Sequence, residues 1–290
     1  MRTRFAATTG ASDGGGKAEP PVWLRCVNVL SFAGALVANG TAGSRVGKVS
    51  HKYDNDIVPD GWAFSIWALI YTGLTGFCIY QVLLPTACSK AVVGRIGPLW
   101  VASNALNALW IVIWVQGTPL CAALSTVVLF ALLGVNIAIM WTSGAWKPHS
   151  GFNVWDKLCI YLPFSIYCAW TTVAAVVASA ATLVALGCDG SPLSPAAWSA
   201  TMVSVAALIN LMVLYTRRDP VYALIFCWAA AAIYTGHHDD NVVSTAALLC
   251  LVVVACADAV CIGILLRQRD QSGSNANAGL YSSLESTERR

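Results

Sequence analysis

Asp258 is the one acidic residue inside the long apolar runs of this 290-residue chain, and those runs contain no lysine. An ionisable group in hydrocarbon is costly and marks a functional candidate by default. It stands nine residues before Arg267, roughly 13 Å along a helix that rises about 1.5 Å per residue. Such a carboxyl can serve a proton-coupled step or be a partnered structural group. The sequence shows no buried base, which favours the second. His237, His238, Asp239 and Asp240 offer metal-ligating side chains in a row. Neighbouring residues cannot all converge on one ion, so a solvated helix connector is the stronger expectation.

The aromatic residues carry the more specific pattern. There are 12 tryptophans, and membrane tryptophans usually mark the interfacial belts, as Trp23, Trp146 and Trp155 are expected to do. Others accompany polar residues at helical spacing. Phe64, Trp67 and Tyr71 fall at i, i+3 and i+7 and share a face, with Trp62 just before them. Asn104, Asn107, Trp110 and Trp114 form a second stripe, and Pro163, Tyr167 and Trp170 a third. Asparagine in hydrocarbon needs partners, so these faces look inward or into a cavity. For any one residue, helix–helix packing explains the pattern equally well. The stripes together point to a shared pocket for a flat apolar ligand with few polar handles.

Elements able to position these faces follow from composition. Apolar residues make up 57% of the chain and charged residues 11%, with a mean hydropathy of +0.66. Soluble domains carry about 25% charged residues, so this chain has too little polar surface to face water all round. A bilayer core of roughly 30 Å takes about 20 apolar residues per helix. Eight such runs are expected, near 24–41, 61–84, 98–116, 119–141, 158–185, 196–216, 220–236 and 241–266. Asp219-Pro220 is a start signal for the seventh. With the N-terminus in the cytosol, 14 of the 17 Lys and Arg fall on the cytosolic side, leaving only Arg45, Lys48 and Lys52 opposite. Basic residues favour the cytosolic face, so both termini are expected there.

Three segments resemble one family. Pro59, Trp62, Phe64, Trp67 and Tyr71 are similar to the proline–tryptophan signature of the tryptophan-rich sensory protein / translocator protein family (TspO/MBR). Asn107 and Trp110 resemble its third-helix Asn-x-x-Trp, and Tyr167 and Trp170 its fifth-helix Tyr-x-Ala-Trp. The matches keep the family's order over roughly residues 25–185. Three departures accompany them. Trp62 and Trp67 are one residue closer together than the family's pair, a spacing that turns one of them off the pocket. Pro163 lies a turn before Tyr167 instead of beside it, and Ala178 stands where the family has an asparagine.

The resemblance implies a five-helix bundle that binds tetrapyrroles and, in some members, sterols or synthetic aromatic ligands. Trp62, Phe64, Trp67, Tyr71, Asn107, Trp110, Tyr167 and Trp170 would bind the ligand. Haem or a porphyrin would be a ligand, with no cofactor required. The first loop, 42–60, would lid the pocket on the non-cytosolic side.

The expected architecture is therefore an all-α polytopic membrane bundle. A translocator-like core spans 23–187 and three further helices span 188–267. The ends, 1–22 and 268–290, are rich in Gly, Ser and charge and are expected to be disordered and cytosolic. The start is basic and hydroxyl-rich like a transit peptide, but Asp13, Glu19 and Gly14–Gly16 run against that. A plasma or internal membrane is expected over a mitochondrial one. Tyr281 and Leu284 match a tyrosine-based sorting signal, which would give the tail an adaptor as partner. Asn39-Gly-Thr41 is a glycosylation pattern too close to the membrane to favour modification. The 11 cysteines form no CxxC pair, and a single disulfide between Cys121 and Cys188 is allowed.

Several classes are excluded. No apolar run holds the lysine a retinal Schiff base needs, and no converging ligand set, Walker loop or dinucleotide fingerprint is present, so no enzyme is expected. The thinly spread basic residues give no nucleic-acid surface. The chain reads as a membrane protein that binds, senses or transports a flat lipophilic molecule, with lipid around it and a homodimer left open. The alternatives are a secondary transporter that uses Asp258 as its coupling carboxylate, and a scaffold with no ligand of its own.

Overall fold

The computed structural model describes residues 20–288 except 54, 84–85, 147–151 and 189–191, with the backbone alone for 44, 51 and 272–288. The described residues form helices and connectors, with no strand. In chain order the helices are α1 (Val22–Lys52), α2 (Gly61–Leu83), α3 (Ala87–Trp114), α4 (Pro119–Ser143), α5 (Val154–Ala185), α6 (Pro195–Arg217), α7 (Pro220–Gly236) and α8 (Asn241–Glu288). The first turn of α2, Gly61–Ser65, is 3-10, and Lys157–Tyr161 of α5 is π-helical.

Local chemistry explains where they begin. Thr86, Thr118, Ser194 and Asp219 each accept a backbone N–H in the first turn of α3, α4, α6 and α7. Such a side chain satisfies a donor that has no partner inside the helix. Pro119, Pro195 and Pro220 follow three of these caps, where a missing N–H costs nothing. Asn153 and Asp156 form a reciprocal capping box at the start of α5.

α1 packs along α3, α3 along α4 and α4 along α5, while α5 also meets α2 and α7. Two glycines permit close crossings. A Cβ on Gly73 would lie 3.1 Å from Pro163, and one on Gly97 would lie 3.0 Å from Leu24. One apolar core runs through α1–α5 and takes in Tyr222, Ile225, Ala229 and Ala232 of α7. A smaller core joins α6, α7 and α8 around Phe226, Val254 and Cys261. α7 thus belongs to both, and the last three helices are seated on the first five.

The outer faces are apolar: Val127, Phe130 and Trp141 on α4 and Leu249, Val253 and Val260 on α8 are all exposed. Among the described residues seven helices are long and apolar enough to cross a membrane, and Pro220–Gly236 is a shorter apolar one. A surface this apolar is stable only against lipid. The chain is a multi-pass integral membrane protein.

The helix boundaries depart from expectation in three places. α1 continues to Lys52, so the first loop is 53–60 instead of 42–60. α3 begins at Ala87 instead of 98 and carries Pro98 within it. Lys90 and Arg95 had lowered the hydropathy of that stretch without altering its helical backbone. The backbone of 268–288 is helical, where composition had suggested disorder. Lack of a core argues against burial, but each residue added to a formed helix still gains a hydrogen bond. The side chains of Tyr281 and Leu284 lie outside the described residues.

Arg218, between α6 and α7, has φ 53, the left-handed region that favours glycine. An L-residue there costs about 1–2 kcal/mol. Its bond to Gln268 is exposed and worth little. Arg218→Gly is expected to raise stability by about 1 kcal/mol, read as a higher midpoint of unfolding in detergent. An unchanged or lower midpoint would show that the contact with Gln268 outweighs the backbone gain.

Candidate functional site

The bundle has two distinct ends. At one lie both chain ends of the described helices, with Leu24 against Gly97 and Arg218 bonded to Gln268. At the other, loop 53–60 is strapped across the bundle. Lys52 Nζ and the Tyr53 hydroxyl both donate to the Gly117 carbonyl, at 2.6 and 2.7 Å. Opposite, the Asp60 N–H donates to the Ala232 carbonyl at 3.1 Å, and His237 Nε2 lies 3.0 Å from the Val58 carbonyl.

Beneath this strap is a cavity of about 690 Å³. Its walls are Asn39, Gly43, Val46, Gly47 and Ser50 of α1, Val58–Asp60 of the strap, Gly61, Phe64, Trp67 and Tyr71 of α2, and Trp110 and Ile111 of α3. Residues 235–239, from the end of α7 and the α7–α8 connector, close it. A narrower pocket of about 70 Å³ shares Phe64, Trp67 and Trp110 and is lined further by Trp114, Leu129, Trp170, Ala178 and Ala181. The space exists because α1 presents Gly43 and Gly47 there: a Cβ on either would meet nothing within 4 Å.

Trp67 is the hub of the aromatic wall. It stacks on Tyr71 (5.5 Å, 24°) and on Trp110 (5.8 Å, 24°), and meets Tyr167 and Trp170 edge-on at 6.3 Å. Phe64 meets Trp170 edge-on at 6.1 Å. Tyr167 is buried against Ser103, Asn107 and Asn136 and supports the wall from behind. Asn107 accepts from Asn39 Nδ2 at 2.6 Å. That bond turns Asn39 inward, away from any glycosylation role. Two buried donors here have no hydrogen-bond partner, Trp110 Nε1 at the cavity and Trp170 Nε1 at the narrower pocket, while the Tyr71 hydroxyl and Asn107 Nδ2 lie beside each other. Both indole groups can only donate, and a buried donor left unpaired costs about 1–3 kcal/mol. The wall therefore suits a molecule that is flat, apolar over most of its area and equipped with hydrogen-bond acceptors.

Of the candidates, Phe64, Trp67, Tyr71 and Trp110 line the larger cavity and Trp170 the narrower one. Asn107 and Tyr167 stand directly behind them. Trp62 does not line either pocket. It is 39% exposed, donates to Thr235 and packs edge-on against Trp228 at 4.7 Å. The 3-10 turn and the short spacing to Trp67 swing it to the outside. Segment 42–60 was expected over the pocket as a loop, but that Asn39 to Ser50 form a helical wall, and that Thr235 to Asp239 close the site, were not legible in the sequence. Glycine at a cavity gives no positive signal, and the α7–α8 connector meets the strap only in the folded chain. His238 and Asp239 lie at the mouth, and no metal-holding cluster exists among the described residues. Cys121 and Cys188 are both free.

Asp258 lies elsewhere, in the α6–α8 half. It is 3% exposed, and its Oδ1 has no partner. Near it is a buried ion pair, Arg217 with Asp219, at 3.0 Å.

Fold and cavity together define a polytopic helical membrane protein with an aromatic, donor-bearing cavity between its helices. The chain belongs to the TSPO-like family, whose model, described as TSPO-like protein, matches residues 24–260. That match runs through α6 and α7 and into α8, in keeping with the shared core. No curated protein and no solved structure matches the chain.

Proposed function

We propose that this protein binds a flat lipophilic molecule bearing hydrogen-bond acceptors, of tetrapyrrole or sterol-like type, and senses or transports it without chemical conversion. The supporting observation is the conjunction of a stacked aromatic wall with two unpartnered indole donors, Trp110 Nε1 at the cavity and Trp170 Nε1 at the narrower pocket beside it. The volume of the cavity lies within the range of roughly 300–1,000 Å³ common for small-molecule sites. The Arg and Lys distribution supports a cytosolic location for the end with both termini, which would put the strap and the cavity mouth on the lumenal or external side.

The test is a titration of the detergent-purified protein with protoporphyrin, followed by tryptophan quenching, beside Gly43→Leu. A Cβ there would meet nothing within 4 Å, and the position lines the cavity. Saturable quenching in the wild type is expected, with at least tenfold weaker affinity in Gly43→Leu. Quenching that never saturates, or that is indifferent to Gly43→Leu, would remove this function and favour a scaffold.

A further inference from the structure

The second polar site of the molecule lies where α5, α7 and α8 meet the α6–α7 junction. Asp219 sits at its centre, fully buried, and accepts four hydrogen bonds. Tyr161 donates to its Oδ1 at 2.6 Å and Ser165 to its Oδ2 at 2.6 Å. The Tyr222 N–H and Arg217 Nη2 complete the set at 3.1 and 3.0 Å. Tyr161 and Ser165 are four residues apart and so share a face. Tyr161 closes the π-helical turn of α5, and such turns are frequent at functional sites.

Arg217 is equally committed. Its Nε donates to the Trp146 carbonyl at 3.2 Å, and its guanidinium lies over the Trp146 and Tyr222 rings. Asp258, on α8, is within electrostatic reach of Asp219 and receives none of these donors. The other titratable groups that face it are Tyr161 of α5, Cys227 of α7 and Cys261 of α8 itself. None is a cation at neutral pH. Arg218 is exposed, bonded to Gln268 and near enough to act on Cys261, but among the described residues no ion pair joins it to Asp258. Ionised, Asp258 would give the buried cluster of Arg217, Asp219 and Asp258 one uncompensated negative charge. A buried charge without a partner is disfavoured strongly enough that the group neutralises instead.

We propose that Asp258 is a proton-binding site, neutral at rest and able to exchange its proton with water at the end of the bundle that carries both termini. The Arg217–Asp219 pair is the fixed background against which it does so. This stands independently of what the aromatic cavity binds.

The experiment is modification of the full-length protein, in detergent, by dicyclohexylcarbodiimide. This apolar reagent attacks only protonated carboxyls, and the adduct is located by peptide mass mapping. Modification of Asp258 but not Asp219 is expected, several-fold faster at mildly acidic than at alkaline pH, and absent in Asp258→Asn. Wild-type mapping decides the matter even if Asp258→Asn fails to fold. No adduct at any pH, or a rate that ignores pH, would overturn the proposal. Protection by sodium at constant pH would also overturn it, because the site would then hold a metal cation in place of the proton.

Discussion

Replacing Arg217 by methionine is expected to lower the stability of the folded bundle by about 3–5 kcal/mol, the usual cost of removing one partner from a buried ion pair. Both partners are almost wholly buried, Arg217 at 2% and Asp219 at 0% exposure. Methionine fills much of the volume of the arginine stem but leaves Asp219 with three neutral donors and no counter-charge. It would also leave two buried carboxyls, Asp219 and Asp258, with no cation between them. The double variant Arg217→Met/Asp219→Asn removes the orphaned charge and is expected to recover most of the loss. Chemical or thermal unfolding in detergent, followed by tryptophan fluorescence, measures both. A single variant within about 1 kcal/mol of wild type would show that lipid or water already neutralises Asp219, and that the pair is not what joins the last three helices to α5.

Trp67→Ala should have the second-largest effect, and on both stability and binding. Loss of a large core aromatic typically costs about 3–5 kcal/mol, and Trp67 touches four other rings. Because it lies partly open to the cavity, the lower part of that range is expected. Trp67→Leu separates volume from stacking. It should restore much of the stability while keeping protoporphyrin affinity at least tenfold below wild type, since each aromatic contact contributes about 0.5–1.5 kcal/mol beyond its buried area. If Trp67→Leu binds like wild type, the wall is packing for the bundle and the ligand sits elsewhere.

The membrane class, the helical architecture and the three aromatic stripes were legible in the residues alone. Apolar run length and helical periodicity are local properties, set by bilayer thickness and by 3.6 residues per turn. Thus Phe64, Trp67 and Tyr71 had to share a face, whatever that face met. Helix starts were legible for the same reason, since Asp219-Pro220 caps and begins α7 by local chemistry alone.

What tertiary structure decided is which faces meet. Trp62 has the same residue type as Trp67 and nearly the same position, yet the 3-10 turn sends one outward and the other inward. Gly43 and Gly47 make the cavity by contributing nothing to it, an effect visible only once α2 and α3 stand opposite. Thr235 to Asp239 reach the site from across the chain, because hydrogen bonds from Asp60 and His237 tie the strap to α7. Asp258 was conspicuous as a lone acid, but its isolation became a physical fact only when Asp219, 39 positions earlier, had taken the donors of Tyr161, Ser165 and Arg217. Long-range pairing of this kind depends on packing among distant helices, which no local pattern encodes.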